Sequence, residues 1–263
     1  MTEIPIKERD KLYPYVPVSL LPVLVVTGIT LGILFFDFRG NFQTNPVIFY
    51  ALPFLYLITF MTIETPATIL RTIGLNLPTL RSKIIAIISL PVGGLLGWGL
   101  VQLATSQLMF FKIATYPWVL STFENVGLTT LASLSTLSSA VLYFFVALFE
   151  EGTAIYIGKN IANWLGSKKA NVIFASIFGL FLGRIVLVAH HWFSYDGLQN
   201  FSLYLSALSM FVAFTIVGIL FGMLAQGFFV GKDLSNLKVI PILLPPMLAA
   251  HFLFDYLLSA LIG

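Results

Sequence analysis

The chain reads as an all-α, polytopic transmembrane bundle of about seven helices, with its N-terminus in the cytoplasm and residues 1–263 forming a single integral membrane domain. Three observations predict this. Of 263 residues, 58% are hydrophobic and only 10% charged, against roughly 25% charged in a soluble domain. Apolar runs of about 20 residues, the length a spanning helix needs, recur along the whole chain. The basic residues fall between those runs and favour alternate connections.

The runs cover residues 17–36, 46–70, 84–105, 128–158, 170–193, 203–230 and 239–262. Before the first lies the mixed-charge segment MTEIPIKERDKLYPYVP; the apolar stretch from Val18 to Phe36 then ends in DFRGN without a small-x-small cleavage site. It is too long for a signal-peptide core and reads as a retained helix. Between the third and fourth runs, Gln107 to Asn125 carries Tyr116, Pro117 and Trp118 and reads as interfacial. No internal repeat or flexible linker divides the chain.

With the N-terminus inside, the cytoplasmic connections hold eleven basic residues: Lys7, Arg9, Lys11, Arg71, Arg81, Lys83, Lys159, Lys168, Lys169, Lys232 and Lys238. The opposite side holds only Arg39 and Lys112, and Arg184 falls inside a run. That asymmetry satisfies the positive-inside rule. The net charge of +3 is dispersed between apolar runs and does not indicate a nucleic-acid partner. The absence of cysteine excludes disulfides, a thiolate nucleophile and cysteine-based metal sites.

Few ionisable residues fall within the runs: Glu64, Glu150, Glu151, Arg184, His190, His191, His251 and Asp255. All three histidines of the protein are among them. An ionised acid near a bilayer centre costs at least ~2.5 kcal/mol, so such groups are functional candidates by default. At ~1.5 Å per helical residue, Glu150, Arg184, His190, His251 and Asp255 reach depths within ~10 Å of one another. His251 and Asp255, four apart, share one helix face. Gly179 and Gly183 form a small-xxx-small surface with His190 seven residues beyond. Glu150, flanked by Ala147, Thr153 and Ala154, is expected to face inward with His190, and Glu151 to be rotated ~100° away. Arg184 is expected to neutralise one of the paired acids, His191 is the second-choice histidine, and Glu64 reads as interfacial. Packing between helices is the competing explanation for the whole group, at ~0.6 kcal/mol per interhelical pair.

The order of these residues resembles a known family, the CAAX prenyl endopeptidase, bacteriocin-processing and abortive-infection membrane proteins. That family carries Glu-Glu-x-x-x-Arg, then Phe-x-x-x-His, then His-x-x-x-Asn or Asp. Here stand Glu150-Glu151 in FEEGTAIY, His190 in VLVAHHW, and His251 with Asp255 in HFLFDYL. Ile155 occupies the place of the motif arginine, and Val186 or Leu187 that of the phenylalanine. The likeness covers about residues 140–260. It implies an intramembrane endopeptidase in which Glu150, with His190, activates a water while His251 and Asp255 stabilise the oxyanion.

General chemistry agrees: desolvation makes a carboxylate a better base near neutral pH, and donors aimed at an oxyanion act most strongly in a dry site. His190, His251 and a carboxylate also form a donor set sufficient for a divalent metal, so metal-free and metal-bound chemistry both stay open. No HExxH and no serine–histidine–acid order is present. The expected partners are the lipid bilayer and a peptide or membrane-protein substrate. The alternative is a catalytically lapsed member serving as scaffold or subunit of a membrane complex. A proton-coupled transporter ranks third, because no inverted repeat is visible.

Overall fold

A computed structural model describes residues 24, 25, 28, 54–105, 136–167, 172–195, 201–227 and 239–262. The first predicted span, the interfacial stretch 107–125, Arg39 and Lys112 lie wholly or largely outside the described residues. Among the described residues all regular structure is helical. After a helical stretch at 54–60 come α1 (Pro66–Thr72), α2 (Leu80–Thr105), α3 (Thr136–Ser167), α4 (Val172–Tyr195), α5 (Phe201–Gln226) and α6 (Leu244–Ile262). Three of them are long and apolar enough to cross a membrane, over Leu80–Leu103, Ala140–Leu165 and Leu208–Gln226.

The sequence dictates where the helices start and stop. The predicted run 46–70 is broken at residues 61–65. Thr65 caps α1 there, its hydroxyl accepting from the Thr68 N–H at 3.3 Å, with Pro66 in the first turn. Glu64 sits in this break, half-buried. At the other end of α1, Gly74 takes φ 79°, and a Cβ there would also meet the Ile242 carbonyl oxygen at 2.2 Å. Only glycine fits both demands. Helix α2 opens with a reciprocal cap: the Ser82 N–H donates to Thr79 Oγ1 at 3.1 Å and the Thr79 N–H to Ser82 Oγ at 3.2 Å. The last run, 239–262, becomes helical only at Leu244, because Pro241 precedes it and Pro245 and Pro246 are tolerated only in a first turn.

Helix α3 packs along α4, α2 packs along α6, and α5 touches α2, α4 and α6, while α6 also lies on α3. Small residues make these approaches close. A Cβ on Gly183 would sit 2.5 Å from the Ala154 carbonyl oxygen, and one on Gly179 would sit 2.6 Å from the Ala162 nitrogen. Across α2 and α6, Gly93 and Gly97 lie against the carbonyl oxygens of Pro246 and Ala250. This is the small-residue packing expected where side chains gain nothing from leaving lipid. Helix α3 is central, with every residue from 150 to 158 buried. Helix α2 turns Ile87 and Leu95 outward, 67% and 66% exposed, as a lipid-facing surface would.

The extended segment 239–243 that leads into α6 has its backbone groups satisfied by three different helices. Lys159 of α3 donates to the Ile240 carbonyl, the Ile240 N–H donates to Ser176 Oγ of α4 at 2.8 Å, and the Leu243 N–H donates to the Gly218 carbonyl of α5 at 3.0 Å. Non-helical backbone inside an apolar bundle persists only with such partners.

Candidate functional site

The base of α6 is therefore fixed, and the helix rises from it to carry His251 into the bundle. The ring is 3% exposed and lies between two aromatic side chains of α5. Phe214 stacks on it at 5.5 Å between centroids, and Phe211 meets it edge-on at 5.2 Å. Its Nδ1 lies 2.9 Å from Glu151 Oε1. Its Nε2 lies 3.2 Å from Asp255 Oδ2, one turn along α6, and 3.6 Å from Glu150 Oε2.

Glu151 is wholly buried and uses its other oxygen for an ion pair with Arg184 Nη2, from α4. The Arg184 side chain, 1% exposed, also donates from Nε to Thr215 Oγ1 of α5 at 2.8 Å, and its guanidinium lies 5.3 Å from the Phe211 ring centroid. Thr215 in turn donates to the Phe211 carbonyl at 2.9 Å. Among the described residues, Arg184 Nη1 has no hydrogen-bond partner. Four helices thus bring Glu150, Glu151, Arg184, Thr215, His251 and Asp255 into one connected group.

Each ring nitrogen of His251 faces a carboxylate oxygen. Neutral imidazole donates from only one nitrogen. Both ring nitrogens can donate at once only if the group carries one extra proton.

Glu150 is inward as the sequence predicts, 3% exposed, but Glu151, expected to be rotated off that face, is equally buried and makes the shorter contacts, to Arg184 and His251. Both acids are inside because α1, α4 and α6 surround α3 at this level, leaving it no lipid-facing side. His190 and His191 belong to the last turns of α4, but their side chains lie outside those described. Among the described residues, no three His, Cys, Asp or Glu side chains form a metal-holding arrangement. Thr215, Phe211 and Phe214 were not anticipated. A signal for Thr215 existed, since it is the single hydroxyl in the apolar stretch FVAFTIVGILFG.

No protein-family signature, curated protein or solved structure matches this chain.

Proposed function

We propose that the chain is a multi-pass integral membrane protein of about seven spans with a cytoplasmic N-terminus, and a glutamate-dependent intramembrane endopeptidase resembling the CAAX-protease type. The observation that carries the enzymatic reading is the convergence of Glu150, Glu151, His251 and Asp255 on one buried point. Glu151 is committed to Arg184 and His251, which suits it to positioning the imidazole. Glu150, held at the longer distance from Nε2, is then the base that takes a proton from water. His251, steadied by Asp255, stabilises the oxyanion formed as that water adds to a peptide carbonyl. Arg184 reaches Glu151 from the neighbouring helix, while Ile155, at the place of the family's arginine, is 1% exposed and fills the core.

The near-complete burial of Arg184, Glu151 and His251 favours a second reading, a scaffold or subunit of a membrane complex that keeps the cluster for packing. Glu150→Gln separates the two. Gln keeps volume and hydrogen bonds but is no base at neutral pH, so peptide cleavage should fall ~10²–10⁴-fold with unchanged abundance. His251→Ala and His190→Ala should damage turnover comparably, and His191→Ala less. Unchanged cleavage by Glu150→Gln would sink the mechanism. No cleavage by any form, with partners that co-purify, would favour the scaffold.

Topology is tested separately by single cysteines beside Lys168 and Asn200. The first should label only from the cytoplasmic face and the second only from the other. Labelling of both from one side would refute the seven-span arrangement.

A further inference from the structure

A cavity of about 460 Å³ opens where α1 and α5 end and α2 begins, beside Lys159 of α3 and away from the carboxylate cluster. Lys159, eight residues beyond Glu151 on α3, lies ~12 Å farther along the helix axis. The cavity is lined by two cations, Arg71 and Lys159, by the amides of Asn76 and Gln226, and by the apolar Ile242 and Leu243. Among the described residues, no Asp or Glu lines it. The N-terminus of α2 is closed by its own Thr79–Ser82 cap, and Arg81 packs beside Gly227, just past the end of α5. Among the described residues, the charge offered to the cavity therefore comes from Arg71 and Lys159. Lys159 gives one donor to the Ile240 carbonyl; an ammonium has three.

We infer that this cavity is a binding site for a phosphate ester, whose anion is received by Arg71 and Lys159 and whose organic part lies against Ile242 and Leu243. The volume falls within the ~300–1,000 Å³ of small-ligand sites and exceeds what a bare phosphate fills. Arg71 is exposed and Lys159 half-buried, so an anion can enter from the aqueous edge and be held at the inner wall. A guanidinium and an ammonium are the groups best suited to phosphate oxygens. In the proposed topology this end of the bundle meets the cytoplasmic leaflet, so the ester has two sources: an anionic phospholipid headgroup or a soluble phosphate ester. Anion binding here does not depend on peptidase chemistry, and its failure would leave that mechanism standing.

The experiment measures binding by the full-length protein in nanodiscs of phosphatidylcholine with increasing phosphatidylglycerol, and in detergent with glycerol 3-phosphate or inorganic phosphate. Saturable binding of one phosphatidylglycerol, without response to glycerol 3-phosphate, identifies the lipid source; binding of glycerol 3-phosphate identifies the soluble one. In either case Arg71→Gln should weaken binding roughly tenfold, the loss expected for one charge-assisted hydrogen bond. Lys83→Gln removes the same charge from an exposed position outside the cavity lining and should change affinity less than about twofold. Lys159→Gln also removes the tie to Ile240, so its result counts only if its unfolding matches the wild type; Arg71→Gln carries the decision otherwise. Absence of saturable binding by the wild type to all three probes, or equal losses in Arg71→Gln and Lys83→Gln, would overturn the assignment.

Discussion

Replacing Arg184 distinguishes a cluster held by charge from one held by ordinary hydrogen bonds. Its guanidinium is 1% exposed, with Nε on Thr215 and Nη2 on Glu151. A hydrogen bond between helices in a bilayer is worth only ~0.6 kcal/mol on average. Removing one member of a buried ion pair costs roughly 3–5 kcal/mol, because the other charge is left uncompensated. Arg184→Leu leaves Glu151 with His251 as its remaining partner, which places the expected loss near the lower end, about 3 kcal/mol. Glu151→Gln keeps the volume but leaves the guanidinium facing an amide, a loss of comparable size at about 3 kcal/mol. With both changes present, neither uncompensated charge remains. The double variant should then be more stable than the sum of the single effects implies, by about 2 kcal/mol. The assay is reversible unfolding of the purified wild type, both single variants and the double variant in mixed micelles, followed by tryptophan fluorescence. Additivity within ~0.5 kcal/mol would show that the two side chains do not act on each other.

The remaining predictions concern the supports of the site. Thr215→Val leaves the Arg184 Nε–H buried without its acceptor and should cost roughly 1–3 kcal/mol in the same assay, whereas Thr215→Ser should recover most of it; equal losses would mean that the methyl, not the hydroxyl, matters. Gly93→Ala places a methyl 2.1 Å from the Pro246 carbonyl oxygen and should separate α2 from α6, while Gly94→Ala, among the described residues, meets only Leu253 at 3.6 Å. The second change should be neutral or stabilise by up to ~1 kcal/mol through helix propensity, and similar behaviour of the two variants in thermal unfolding would refute the packing described.

The helices were legible because apolar segments that cannot hydrogen-bond to lipid must satisfy their own backbones. The run 84–105 became Leu80–Thr105, and the run 170–193 became Val172–Tyr195. The run expected to end at 158 continues as helix to Ser167, and the breaks within runs sit at prolines. Thr65-Pro66 starts a new helix in the middle of a run, and Pro241, Pro245 and Pro246 delay the last one. At the site, the four-residue spacing of His251 and Asp255 and the shared depth of Arg184 and the acids followed from helix geometry alone. Which acid Arg184 pairs with did not. Spacing gives the angle between two side chains on one helix, not how many neighbours surround that helix, and α3 has neighbours on both relevant sides. Thr215 escaped for a related reason. Its role is defined by a side chain from another helix.

The three anchors on residues 239–243 hold the first turn of α6, and the contact of Gly97 with the Ala250 carbonyl holds the helix again farther along. His251 stands seven residues beyond Leu244, a lever arm of ~10 Å. A tilt of about 5° at the base would carry the ring ~1 Å sideways over that arm. The 2.9 Å contact with Glu151 tolerates displacement of only about 0.3 Å before leaving the normal range. The base and the helices packed along α6 must together hold its axis to within roughly 2°, an angular tolerance set by the lever arm and the hydrogen-bond range. Lys159, Ser176 and the Gly218 carbonyl supply that stiffness from three directions, so the alignment of the imidazole is decided as much at the foot of the helix as at the ring.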